Sequence, residues 1–283
     1  MRLSIITINL NNASGLDKTI RSVASQTFKD FEYIVIDGAS SDNSVKVIKS
    51  HEGDFAHLKW VSEPDKGIYN AMNKGIRMAS GDYVQILNSA DCLASENVTE
   101  RMLAALDNEG APSILYGNMV KCFPDGHRMV DRCFAGEEIT MLGFYTGTLN
   151  HDPAYIRRSL FEKFGYYDEE LKIVSDWKWY LQAIVFGGER PRYVDMEVTL
   201  FDMMGVSETN VDLCKVERKL VLNQLIPRAI LMDYERFAFP MEQIMRLKRF
   251  PLVYKLIWLL ERCLFKYEKW TIKSRRYYYG TEN

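Results

Sequence analysis

LSIITINLNNASGLDKTIRSVASQTFKDFEYIVID, residues 3–37, decides the fold. Leu3 to Leu10 is a short β-branched, apolar run bounded by Asn11-Asn12, the pattern of a strand buried on both faces. Behind it Leu16, Ile20, Val23 and Ala24 recur at helical spacing up to Gln26, with Ser14 placed to cap the helix and Asp17 in its first turn. Phe31 to Asp37 is a second strand. This order implies a parallel sheet with right-handed crossovers.

Working outward, Gly38 to Asp42 makes a polar turn into a helix carrying Val45, Val47 and Ile48. His57 to Val61 reads as a short strand, Ile68 to Ala79 as a helix stopped by Gly81, and Tyr83 to Leu87 as the next strand. The pattern then shifts to mixed α/β. Ser113 to Gly117 is extended, and Val120 to Val130 forms a hairpin turning at Pro124-Asp125-Gly126. A helix near Ser159 to Phe164, another from Asp176 to Phe186 and a strand near Arg192 to Thr199 precede mostly helical sequence from Val211.

A chain of 283 residues, 47% hydrophobic and 26% charged, is an ordinary globular protein, long enough for one large domain with an extension. The boundaries expected are 1–210 for an α/β domain and 211–283 for a helical C-terminal extension. Cys92, Cys122, Cys133, Cys214 and Cys263 are odd in number and scattered, which supports neither a disulfide framework nor a zinc site and suits a reducing cytosol. Neither a signal peptide nor an uninterrupted membrane span is evident.

Residues 246–283 hold ten of the 36 Lys and Arg but three of the 38 Asp and Glu, so the remainder is net acidic and argues against nucleic-acid binding. RLKRFPLVYKLIWLLERCLFKYEKWTIKSRRYYYG, from Arg246 to Gly280, reads as one or two basic amphipathic helices suited to an anionic membrane surface. The competing reading is a helix folded onto the body, or one that makes a homo-oligomer contact.

In an open parallel sheet, ligands bind beyond the carboxyl ends of the strands. Asp37 ends the second strand, Glu63 and Asp65 follow the third, and Asp91 lies past the fourth, in Asn88-Ser89-Ala90-Asp91. Carboxylates so placed accept hydrogen bonds from a base or ribose, and reach a diphosphate through a divalent cation. Turn formation and helix capping are the commoner fates of such Asp residues. No GxGxxG follows the first strand and no GxxxxGK[ST] occurs, which removes the support for a dinucleotide or P-loop site.

SIITINLNN (4–12), SVASQTFKDFEYIVIDGASSDNS (22–44), SEPDKGIYNAMNKGI (62–76) and GDYVQILNSAD (81–91) resemble, in order and spacing, family 2 of the inverting GT-A fold glycosyltransferases, in the branch of bacterial capsular and exopolysaccharide assembly. NHDPAYIRRSLFEKFGYYDE (150–169), VSDWKWYL (174–181) and MGVSE (204–208) extend the likeness more sparsely. The resemblance implies a Rossmann-like nucleotide-diphospho-sugar transferase with a mixed sheet flanked by helices. It implies that Thr7, Asn9 and Asp37 line the base and ribose pocket, and that Glu63 and Asp65 extend its wall. Asp91 matches the last acid of the DXD-like motif that holds Mn²⁺ or Mg²⁺, and Asp176 matches the catalytic base. His151 falls near the acceptor pocket, and Ser207 in a loop that covers the diphosphate.

Burial beside Trp177 and Trp179 is expected to raise the proton affinity of Asp176. Two positions depart from the pattern: Ser89 and Ala90 where many members carry another acid, and Met204 in place of a loop glycine. The resemblance thus implies transfer from a nucleotide-sugar, a UDP-sugar first, to a saccharide or lipid-linked acceptor by a cytoplasmic, peripherally membrane-associated enzyme. A polyprenyl-phosphate glycosyltransferase and a catalytically silent nucleotide-sugar scaffold are the alternatives.

Overall fold

Every residue of β1 (Leu3–Asn9) is buried, as an unbroken apolar run requires of a strand inside a sheet. The computed structural model describes residues 1–204 and 210–271 and places β1 between two parallel neighbours. The chain continues through α1 (Ala13–Ala24), β2 (Glu32–Asp37), α2 (Ser44–Ser50), β3 (Leu58–Ser62), α3 (Ile68–Met78) and β4 (Tyr83–Asn88). β5 (Cys92–Leu93), α4 (Val98–Asn108), β6 (Ile114–Cys122), β7 (Arg128–Asp131), α5 (Met141–Thr146), β8 (Ala154–Arg157), α6 (Ser159–Phe164), α7 (Ser175–Tyr180), β9 (Arg192–Asp202) and α8 (Val211–Leu225) complete this unit, Met1–Ile226.

The strand order is β3-β2-β1-β4-β8-β6-β9-β5, with β7 paired to β6. β1 to β4 are parallel, and β8 enters antiparallel between β4 and β6. On one face Leu3, Ile5, Val35 and Leu87 pack with Leu16, Ile20 and Val23 of α1 and Val98, Met102 and Leu106 of α4. On the other, α3 lies close against β1: a Cβ at Gly75 would meet Ile6 Cγ2 at 2.4 Å. Helices therefore cover both faces, and the open crevice is left at the carboxyl ends of the strands.

Several local expectations need correcting. Asn12, not Ser14, caps α1, its side chain accepting from the Gly15 N–H. The hairpin's first strand is one nine-residue element with the stretch at 114–117, because β6 pairs with β8 at its start and with β7 at its end. The helix expected from Asp176 to Phe186 is α for Ser175–Tyr180 and turns π-helical over Leu181–Phe186. α8 lies in the first compact unit, which runs to Ile226.

The second unit begins at Pro227 and contains α9 (Arg228–Lys248) and α10 (Pro251–Thr271). Residues 251–267 of α10 are exposed throughout. Among the described residues no helix is long and apolar enough to cross a membrane.

Candidate active site

The turns that follow β1, β2 and β4 carry non-glycine residues in the left-handed region: Asn11 at φ 50°, Ala39 at 57° and Ala90 at 93°. Such conformations cost about 1–2 kcal/mol for residues with a Cβ, and they concentrate at functional sites. These turns edge a cavity of about 860 Å³.

At one side of it, Asp37 is fully buried and accepts hydrogen bonds from Asn9 Nδ2 (2.8 Å), Ser40 N (3.0 Å), Ser40 Oγ (2.6 Å) and Ser62 Oγ (2.6 Å). Burial works against its charge, but the Ser40, Ser62 and Asn9 hydrogen bonds prevail and hold the carboxyl below its ordinary range. Asp37 thus stands behind Asn9 and Gly38, which line the cavity with Asp65. Gly38 permits that approach, since a Cβ there would lie 3.1 Å from Asp65 Oδ2. Lys74 binds Asp65 at 2.6 Å and Glu63 at 2.9 Å.

Two expected members lie elsewhere. Thr7 is fully buried, its hydroxyl accepting from Tyr33 at 3.0 Å, because only the last two residues of β1, Ile8 and Asn9, line the cavity. Glu63 is half-exposed and outside the cavity lining. Ser207 lies outside the described residues.

At the chemical end the cavity brings Asp91, His151, Asp152 and Asp176 together. Asp91 is 3% exposed, and its Oδ1 accepts from the Asp202 N–H at 2.9 Å. Burial and the neighbouring Asp152 carboxylate push the Asp91 carboxyl well above its ordinary range. His151 Nδ1 lies 2.9 Å from Asp176 Oδ2, and Nε2 lies 3.5 Å from Asp152 Oδ1. Burial disfavours the imidazolium, but Asp152, Asp176 and Asp91 outweigh it and lift His151 to about 9.

The other Asp176 oxygen accepts from the Tyr69 hydroxyl at 2.9 Å. Although burial raises the proton affinity of Asp176, the hydrogen bonds from His151 and Tyr69 reverse the sign and hold it below its ordinary range. This corrects the expectation drawn from Trp177 and Trp179, which are core residues with their indole N–H groups on backbone carbonyls. Glu217 of α8 reaches the turn before α7 and accepts from the backbone N–H groups of Lys172 (2.7 Å), Ile173 (2.9 Å) and Val174 (3.3 Å). It thereby fixes the backbone that presents Asp176.

Sequence reasoning missed Asp152, Tyr69 and Glu217. Asp152 adjoins His151, and Tyr69 lies in 62–76, both within quoted motifs and open to reading. Glu217 reaches the site only through tertiary packing. As for a cation, no cluster of three or more His, Cys, Asp or Glu suited to a metal occurs among the described residues. Asp91 and Asp152 do form a crowded pair of buried carboxyls. Two carboxylates completed by substrate phosphates fit a Mg²⁺-type ion.

The family described as Glycosyl transferase family 2 matches residues 4–165. An uncharacterised glycosyltransferase of Mycobacterium tuberculosis is 36% identical over 184 residues, 64% of this chain and 68% of the relative. Staphylococcus aureus TarS 1–349, solved in complex with UDP-GlcNAc, superposes with a TM-score of 0.63 at 21% identity, covering 81% of this chain and 69% of that one. The mannosyltransferase PcManGT from Pyrobaculum calidifontis, solved in complex with GDP-Man and Mn²⁺, gives 0.60 at 17% identity, with coverages of 95% and 83%. The fold is GT-A, and with a family match across more than half its length the chain belongs to glycosyl transferase family 2.

Proposed function

We propose that this glycosyltransferase moves one sugar from a UDP-sugar onto a hydroxyl of a saccharide or lipid-linked saccharide during surface-polysaccharide assembly, with inversion at the anomeric carbon. The observation that carries this reading is a single cavity in which Asp176, bonded to His151 and Tyr69, opens onto the same space as Asp91 and Asp152. Asp176 accepts the proton of the acceptor hydroxyl as its oxygen attacks the anomeric carbon from the face opposite the departing nucleotide. One C–O bond forms while the bond to the diphosphate breaks. His151 and Tyr69 orient the carboxylate, and proton transfer of this kind contributes about 10²- to 10⁴-fold.

Asn9 and Asp65 form the base and ribose wall, and Asp37 stands behind it holding Asn9. Asp91 and Asp152 would hold Mn²⁺ or Mg²⁺, which supplies stabilisation of charge on the leaving diphosphate. The UDP-GlcNAc held by TarS and the GDP-Man and Mn²⁺ held by PcManGT support a nucleotide-sugar donor used with a cation. Incubation with Mn²⁺ and a panel of nucleotide sugars and acceptors, read by mass spectrometry, is expected to show transfer or slow donor hydrolysis for a UDP-sugar. UDP binding without turnover across the whole panel would leave only the scaffold reading.

The lipid-linked acceptor is supported by α10. Lys255, Arg262 and Lys266 recur on one side of this exposed helix, whereas Leu256, Ile257, Leu260 and Leu264 cover another. That stripe rests on the anionic inner face of the cell membrane. At about 1 kcal/mol per basic residue near such a surface, neutralising the three charges to Gln should weaken partition onto phosphatidylglycerol vesicles by about two orders of magnitude. Unchanged co-sedimentation of the triple variant would remove the membrane claim.

A further inference from the structure

α8 carries a second functional side chain beside Glu217. Arg218 lines the catalytic cavity, and its guanidinium lies over the Trp177 ring at 4.9 Å from the centroid. Stacking occupies the face of the guanidinium and leaves its in-plane N–H donors for other partners. Arg218 Nε is buried, and among the described residues it has no hydrogen-bond partner. The adjacent carboxylate is no counter-ion, because Glu217 is engaged by three backbone N–H groups. Lys121, another cation of the cavity wall, differs in being neutralised by Asp131 at 2.9 Å.

A planar guanidinium stacked on Trp177, the residue after Asp176, with its buried Nε–H unpaired among the described residues, matches a phosphate or carboxylate. We propose that Arg218 is an anion-recognition residue of the catalytic cavity, taking either the donor's pyrophosphate or an anionic group on the acceptor. The proposal rests on the nucleotide-sugar reading for the identity of its ligand. A buried donor left unpaired in the free protein gains its partner only when substrate arrives, so Arg218 favours anionic substrates over neutral ones.

Calorimetric titration of wild type, R218Q and R218K with uridine, with UDP, and with inorganic phosphate in the presence and absence of saturating UDP tests this. If the pyrophosphate is the ligand, R218Q binds UDP about 10- to 100-fold more weakly while uridine affinity is unchanged, and saturating UDP blocks phosphate. If the acceptor supplies the anion, UDP affinity is unchanged, and phosphate binds UDP-saturated wild type but not R218Q. R218K, which keeps the charge without the fork, should fall between the two. Equal anion affinity in wild type and R218Q, including none in either, overturns the proposal and leaves Arg218 as a packing partner of Trp177, visible only as a lower Tm. Should wild type bind neither uridine nor UDP, the nucleotide-sugar reading fails by itself. Phosphate titration of the UDP-free protein then still decides Arg218, its loss in R218Q supporting the role and its retention refuting it.

Discussion

Asp176→Asn is expected to lower kcat by about 10²- to 10⁴-fold while donor affinity stays within a few-fold of wild type. The substitution keeps the shape of the side chain and an oxygen that can accept from the Tyr69 hydroxyl, now 2.9 Å from Oδ1. It removes a group that His151 and Tyr69 hold as a carboxylate against the effect of burial. Because Asp176 is held below its ordinary range, it is ionised at neutral pH and ready to receive a proton. A weak base suffices because the hydroxyl proton becomes acidic as the attacking oxygen bonds to the anomeric carbon. His151, lifted to about 9, supplies the positive partner that keeps the carboxylate ionised within a buried wall. A kinetic split of this form, with kcat lost and donor KM retained, separates a base from a donor-binding residue. Wild-type turnover in Asp176→Asn would reject the assignment.

Much of this arrangement was legible in the sequence because parallel strands buried on both faces leave unbroken apolar runs. β1, β2 and β4 announce themselves in that way, and the residues just past their ends are the crevice by topology. α4 is equally readable: Val98, Met102, Leu103 and Leu106 recur at helical spacing and bury one face. β8 is different, since four residues that pair antiparallel with β4 and β6 carry little pattern of their own.

The site divides along the same line. Side chains at strand ends are placed by local periodicity, whereas Glu217 and Arg218 reach the Asp176 turn from a helix some forty residues further along the chain. Thr7 lies deep in the sheet, a depth that the resemblance placing it at the pocket does not report. The proton affinity of Asp176 was misjudged in sign because nearby tryptophans report burial, while His151 and Tyr69, which decide it, arrive from distant elements.

Asp91→Asn should separate stability from function. The wild-type carboxyl is almost fully buried beside Asp152, and burial together with that neighbour raises its pKa well above the ordinary value. An acid with a raised folded-state pKa destabilises the native protein above its unfolded pKa, where the unfolded chain releases the proton more readily. Asparagine keeps an oxygen for the Asp202 N–H, bonded at 2.9 Å in wild type, and carries no charge. The variant should therefore melt a few degrees higher at neutral pH in metal-free buffer, by about 2–4 °C for each kcal/mol relieved in a unit of this size. That advantage should vanish as pH falls through the ordinary carboxylate range, where Asp91 is protonated in both states. Donor binding should move the opposite way: the gain in UDP affinity that Mn²⁺ confers on wild type should fall by about 10- to 100-fold, because the cation site loses one of its two carboxylates. Melting curves across pH and calorimetric titration of UDP with and without Mn²⁺ read the two effects independently. A Mn²⁺-dependent gain retained in Asp91→Asn would show that the cation is held elsewhere, whereas a lower Tm would show that the Asp91–Asp152 pair stabilises the fold. The combination of a hotter Tm with a lost cation effect is what a strained, functional carboxylate pair requires.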